Sequence, residues 1–187
     1  MPSVTLHRQG VQPVEAHEVV EAVAALLAAD DALCAHLGAG DVATGRARIH
    51  AHEVSLRDAS GAEASGAPLW LLVREMGQIG ARGSEDRPSG LVTVRLQVQV
   101  NAAPPSEGGP ASPVSAIGYA HTLAWAALQG AQVDVTRGAG RAVSTGQITR
   151  TDLPSPTRRD TGADGSGGSG RFYSSAYWSA PMRPAAP

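Results

Sequence analysis

Lysine is absent from the chain, and all 15 basic residues are arginine. That absence excludes a phosphate-binding loop of the GxxxxGK type, which needs its lysine to reach the phosphates. Beside so much alanine and glycine it reads as a coding bias rather than a function. Cysteine occurs once, as Cys34, which excludes an internal disulfide framework. No apolar run reaches the roughly 18 residues of a membrane-spanning helix, and no basic-then-apolar leader opens the sequence. A protein made and used in a soluble, cytoplasmic setting, without membrane contact, is expected. The formal charge of −2 supplies no broad attraction to nucleic acid or anionic lipid. No serine stands in a GxSxG elbow. At 187 residues the chain is read as a single domain, 1–187.

What is present is organised around Leu91–Val100. Val92, Val94, Leu96, Val98 and Val100 alternate with Leu91, Thr93, Arg95, Gln97 and Gln99. Successive side chains of a strand point to opposite faces, so the pattern predicts a strand with one covered face. Clean alternation favours an antiparallel sheet.

Met1–Gln12 has no period and forms an arm or a short first strand, with Pro13 opening a helix. From Val14 to Leu37, Val19, Val23, Leu26, Leu27, Leu33 and Leu37 recur at helical steps. Asp30-Asp31 interrupts them, and Asp30 can cap a second short helix, Asp31–Leu37. Gly38 and Gly40 end it. Arg46–Val54 alternates as a strand, and Pro68–Met76, apolar on both faces, reads as a central strand. Gly77–Gly90 is then a long hairpin connection. Asn101–Pro113 holds too much proline and glycine for regular structure. Ser112-Pro113 starts a second helix running to Gln129, with Val114, Ile117, Ala124, Trp125 and Leu128 inward and Gly130 as its stop. Gln132–Thr136 and Arg141–Asp152 are short or weak strands. Pro154–Gly170 is a flexible Gly/Ser loop, Arg171–Trp178 a last strand, and 180–187 a proline-rich arm. The whole predicts an α+β domain: a mostly antiparallel β-sheet, two helices packed on one face, and long polar hairpin loops.

Candidate chemistry is sparse. His50-x-His52 with Glu53 could share a metal on one strand face, but no third ligand is identifiable and an exposed polar face is the plainer reading. His121 lies four residues before Trp125, which predicts a packed, stacked helix histidine. Cys34, beside Leu33 and Leu37, reads as a small buried thiol. Asp30-Asp31 and Glu85-Asp86 suit capping and loop solvation. Arg158-Arg159 is a solvated loop tip, a subunit contact or a phosphate contact. Tyr173, Tyr177 and Trp178 either complete the sheet faces or meet a partner, since such rings are enriched in interfaces.

A helical VAALLAADDALCAHLG leads into a basic strand, ARIHAHEV. PLWLLVREM precedes LVTVRLQVQVNA, the helix AIGYAHTLAWAAL follows, and RFYSSAYW comes last. In this order and spacing, over roughly Val14–Trp178, the chain resembles tailed-phage tail terminator (tail completion) proteins, including the lambda-type minor tail protein. The long loops and the proline-rich end depart from that pattern. The resemblance implies a non-enzymatic virion protein without cofactor or metal. It would form a hexameric ring that caps the tail tube at its head-proximal end and joins the head. Partners would be copies of itself, the tail tube protein and a connector or stopper protein, with DNA passing through unread. The place would be the neck of the virion, after assembly in the host cytoplasm. Arg46, Arg48, Arg158 and Arg159 would make intersubunit ion pairs, and Tyr173, Tyr177 and Trp178 would lie at interfaces. Competing readings are another head–tail connector, a tube-related subunit, a metal-assisted hydrolase built on His50 and His52, or a small-ligand binding domain.

Overall fold

The computed structural model describes residues 16–51, 67–80, 92–137, 141–144, 146–160 and 170–182. The first-strand or arm segment 1–12, Pro13, His52, Glu53 and the Glu85-Asp86 pair lie outside these residues. The fold is α+β, with a six-stranded mixed sheet and four helices.

The interrupted helical pattern becomes two helices, α1 (Ala16–Ala28) and α2 (Asp31–Leu37). Asp30 is the N-cap of α2, its Oδ1 accepting the Leu33 N–H at 2.8 Å. Losing that acceptor leaves a first-turn donor unpaired, so Asp30→Ala should cost about 1 kcal/mol, read as a lower urea midpoint at unchanged m-value. Val19, Val20, Val23 and Leu27 of α1, with Leu33 and Leu37 of α2, are fully buried.

The strand expected at Arg46–Val54 is corrected. Asp41 caps a further short helix, α3 (Val42–Arg46), accepting hydrogen bonds from the Ala43 N–H at 3.0 Å and from the Thr44 hydroxyl. These bonds, Thr44's first, hold the Asp41 carboxyl below its ordinary pKa. Among the described residues of that segment, Ile49–Ala51 forms strand β1. Five residues are too few to display a helical period, whereas the Arg/Ala alternation next to them imitates a strand.

β1 pairs in parallel with β2 (Leu69–Gly80), which pairs antiparallel with β3 (Val92–Ala102). β3 pairs antiparallel with β8 (Phe172–Pro181). Leu71, Val73, Val94, Leu96, Val98 and Val100 join one core with α1, α2 and the long helix α4 (Pro113–Leu128). The inward set expected of Leu91–Val100 is therefore observed for Val94, Leu96, Val98 and Val100. Its other face carries a cross-strand row: Arg74 Nε donates to Gln97 Oε1, and Gln97 Nε2 donates to the Tyr177 hydroxyl at 3.5 Å. Residues opposite one another in register can interact in this way, and Gln97 is buried.

Three expected loops or arms are shortened. β2 continues through Gly77 to Gly80 because a bulge at Glu75/Gly77, with Gly77 at φ +112°, absorbs the extra residue. β3 extends to Ala102, and a single 3-10 turn forms at Pro105–Glu107. At the other end, Ala180 and Pro181 belong to β8 and Met182 is buried in the core, so the arm does not begin at 180.

The weak strand at Arg141–Asp152 divides. β5 (Arg141–Ser144) pairs with β4 (Asp134–Arg137) in a separate hairpin, while β6 (Thr149–Arg150) joins β8. The chain then follows the edge of β8 into what was expected to be loop. The Ser155 N–H donates to Ser175 O at 2.8 Å, and β7 (Arg158–Arg159) pairs with Tyr173 and Phe172. Pro154 and Pro156 interrupt this edge ribbon because proline has no N–H to donate.

α4 also differs from expectation. Ile117, Ala120, His121, Ala124 and Leu128 form its buried stripe, whereas Val114 and Trp125 are 57% and 42% exposed. Helix α4 is apolar on more than one side, so composition alone could not orient it. Among the described residues no helix is long and apolar enough to cross a membrane.

Candidate functional site

The basic residues singled out in the sequence lie toward opposite edges of the sheet. Near β1, Arg46 Nε donates to Ala28 O at 2.8 Å and its Nη2 meets Asp31 Oδ1 at 3.3 Å. Arg48 Nη1 donates to Leu37 O. Ala28 and Leu37 are the last residues of α1 and α2, where carbonyls lack intrahelical partners and the dipole favours a cation. Both arginines thus tie α3 and β1 to two helix ends within the chain. The Arg46–Asp31 pair is exposed and contributes little by itself.

On the far edge, Arg158 and Arg159 are exposed on β7. Arg159 Nε donates to Gly170 O at 3.3 Å, and its guanidinium lies 5.7 Å from the Phe172 ring centroid. Register places Arg158 beside Tyr173. Tyr173 and Tyr177 are part-exposed on the polar sheet face. Trp178 is 1% exposed: its indole belongs to the core and presents no surface to a partner. The seven residues therefore do not converge on one patch.

The histidines have separate settings. His50 lies edge-on to Trp70, centroids 5.8 Å apart, and burial lowers its pKa. His36 Nε2 lies 2.9 Å from Ala116 O, and its ring is 4.9 Å from that of Tyr119. Among the described residues, no three His, Cys, Asp or Glu side chains gather around a possible metal position. The Cys34 thiol is fully buried, donates to Ala28 O at 3.4 Å, and is pushed up in pKa by desolvation. That setting suits packing, not nucleophilic attack.

Sequence reasoning missed a groove of about 590 Å³ between α4 and the edge ribbon. Val114, Gly118, Thr122 and Trp125 lie along its helix side, and Arg150 and Pro154–Thr157 along the other. His121, 5% exposed, lines it too. A hydrogen bond to backbone Ser174 engages the imidazole, and burial lowers its pKa to about 4 despite that bond, with Arg150 adding to the lowering. Its Nε2 has no hydrogen-bond partner among the described residues. His121 and Trp125 share the groove, one buried and one exposed. The legible signal was their four-residue spacing; the opposing ribbon was hidden because Pro154–Thr157 reads as loop.

No protein-family model matches the chain, and no curated protein matches it significantly.

Proposed function

We propose that the chain is a structural subunit of a phage tail: a terminator that closes into a hexameric ring, caps the tail tube and presents the surface to which the head joins. The observation that carries this reading is that large apolar side chains stay exposed on separate elements, Met76 on β2 and Tyr119 on α4 as well as Val114, Trp125 and Leu153 around a groove, between 42% and 77%. Large apolar side chains left exposed on more than one element suit a subunit with more than one contact surface. An α+β fold built on a mixed six-stranded sheet is compatible with this reading.

The edges support closure rather than open-ended growth. Among the described residues β1 has three, and Pro154 and Pro156 break the opposite edge. Short or proline-broken edges discourage indefinite strand addition, leaving side chains to make a head-to-tail contact that closes by rotation. The partners are copies of the same chain, the tail tube protein and a head–tail connector, with DNA passing through the ring unread. The subunit performs no reaction, uses no cofactor, and resides at the neck of the virion.

Negative-stain images of the purified chain should show closed rings that bind one end of tail tubes. Protein that never closes into rings, alone or with tubes, would overturn the reading, and rings bound only to the head vertex would make it a connector.

A further inference from the structure

The groove between α4 and the edge ribbon has a hole, a charge and, on the same ribbon, a matching knob. Along α4, Gly118 and Thr122 separate the bulkier Val114 and Trp125. A Cβ built on Gly118 meets nothing within 4 Å, so this stretch is a notch open to an incoming side chain. Arg150 supplies a cation, and no acidic side chain lines the groove among the described residues. The occupant that fits pairs a carboxylate with a bulky apolar side chain.

Asp152-Leu153 has that chemistry. Leu153 is 77% exposed, the most exposed of the large apolar residues among those described, and Asp152 beside it is exposed. Among the described residues, Asp152 Oδ2 accepts a single long bond, from its neighbour Thr151 at 3.4 Å. The corner directly precedes Pro154, where the ribbon begins to wall the groove. Prolines 154 and 156 remove backbone donors there, so the surface is suited to side-chain insertion rather than strand addition.

We infer that the groove is the receiving half of a self-complementary contact, filled by the Asp152-Leu153 corner of a second copy. Leu153 enters the notch at Gly118 between Val114 and Trp125, and Asp152 meets Arg150. Knob and hole adjoin on one surface, so each copy gives and receives, and the pair is related by a two-fold axis. This contact goes beyond the ring: a polar ring closes through head-to-tail contacts, whereas this one joins two copies face to face.

The test is sedimentation velocity of the full chain over a concentration series. Wild type should populate a two-copy species, or rings joined in pairs. Leu153→Asp and Gly118→Leu should each weaken that association at least tenfold. Both positions are exposed and open, so folding is not at stake, and far-ultraviolet circular dichroism checks it. Arg150→Asp and Asp152→Arg should each weaken association, and the double variant carrying both should restore it. Trp70 and Trp178 are buried, so a blue shift of tryptophan emission on association would report Trp125. Association unchanged by Leu153→Asp and Gly118→Leu, or no rescue by the charge swap, overturns the contact. Single rings unaffected by these variants overturn it while leaving the ring reading intact. Pairs without rings do the reverse.

Discussion

Gly45→Ala should destabilise the protein by about 3 kcal/mol, at the upper end of what an added methyl costs in a packed core. A Cβ at Gly45 would lie 1.7 Å from Cys34 O and 2.5 Å from Cys34 C. Those are backbone atoms of α2, so no rotamer change relieves the clash and α3 must lift away. The Arg46 bond to Ala28 O and the Arg48 bond to Leu37 O depend on that close approach. A lower urea midpoint should therefore accompany faster labelling of Cys34, which is fully buried in the native fold. Gly118→Ala is the control: with open space around its Cβ, it should stabilise by about 0.5–1 kcal/mol through helix propensity. Equal stability of Gly45→Ala and wild type would mean that α2 and α3 do not pack as described.

Acidification should produce the second large effect, through His121. Its folded pKa is about 4, against an ordinary 6.5. The unfolded chain therefore binds the proton more readily than the folded one at every pH between these values. Stability from the neutral imidazole is complete above about pH 6.5 and is lost as pH falls toward 4. The linkage amounts to about 2 kcal/mol by pH 5 and about 3 kcal/mol by pH 4, levelling below that. Urea unfolding of wild type and His121→Asn between pH 7.5 and 4.5 isolates it, because carboxylate contributions are common to both. Wild type should lose stability with the steeper slope; parallel slopes would place the imidazole in a solvated site.

The alternation in Val92–Val100 and the Asp30 break could be read from the sequence because each is a local pattern that burial or capping reproduces directly. α3 could not, since its close approach depends on Gly45 meeting α2, a contact between segments with no period of its own. The edge ribbon was hidden for a related reason. Pro154 and Pro156 suppress the strand pattern, yet Ser155 between them still pairs with Ser175. The face of α4 was misread at Val114 and Trp125 because apolar residues on two sides of a helix leave its orientation to tertiary packing. Of the candidate residues, Arg46 and Arg48 were expected in intersubunit ion pairs, and the helix ends they serve lie 18 and 11 residues earlier in the chain, too far for a local pattern to show. The groove combined two such failures, one wall read as buried helix and the other as loop.

The central claim is that this chain acts by assembling with itself. The most direct measurement is the mass of the purified full-length protein under native conditions, from dilute to concentrated solution and with tail tubes added. A closed species of six copies of the 19.1 kDa chain, single or joined in pairs, is expected, favoured at high concentration or by the tubes. A mass that stays at one copy under all these conditions would contradict it.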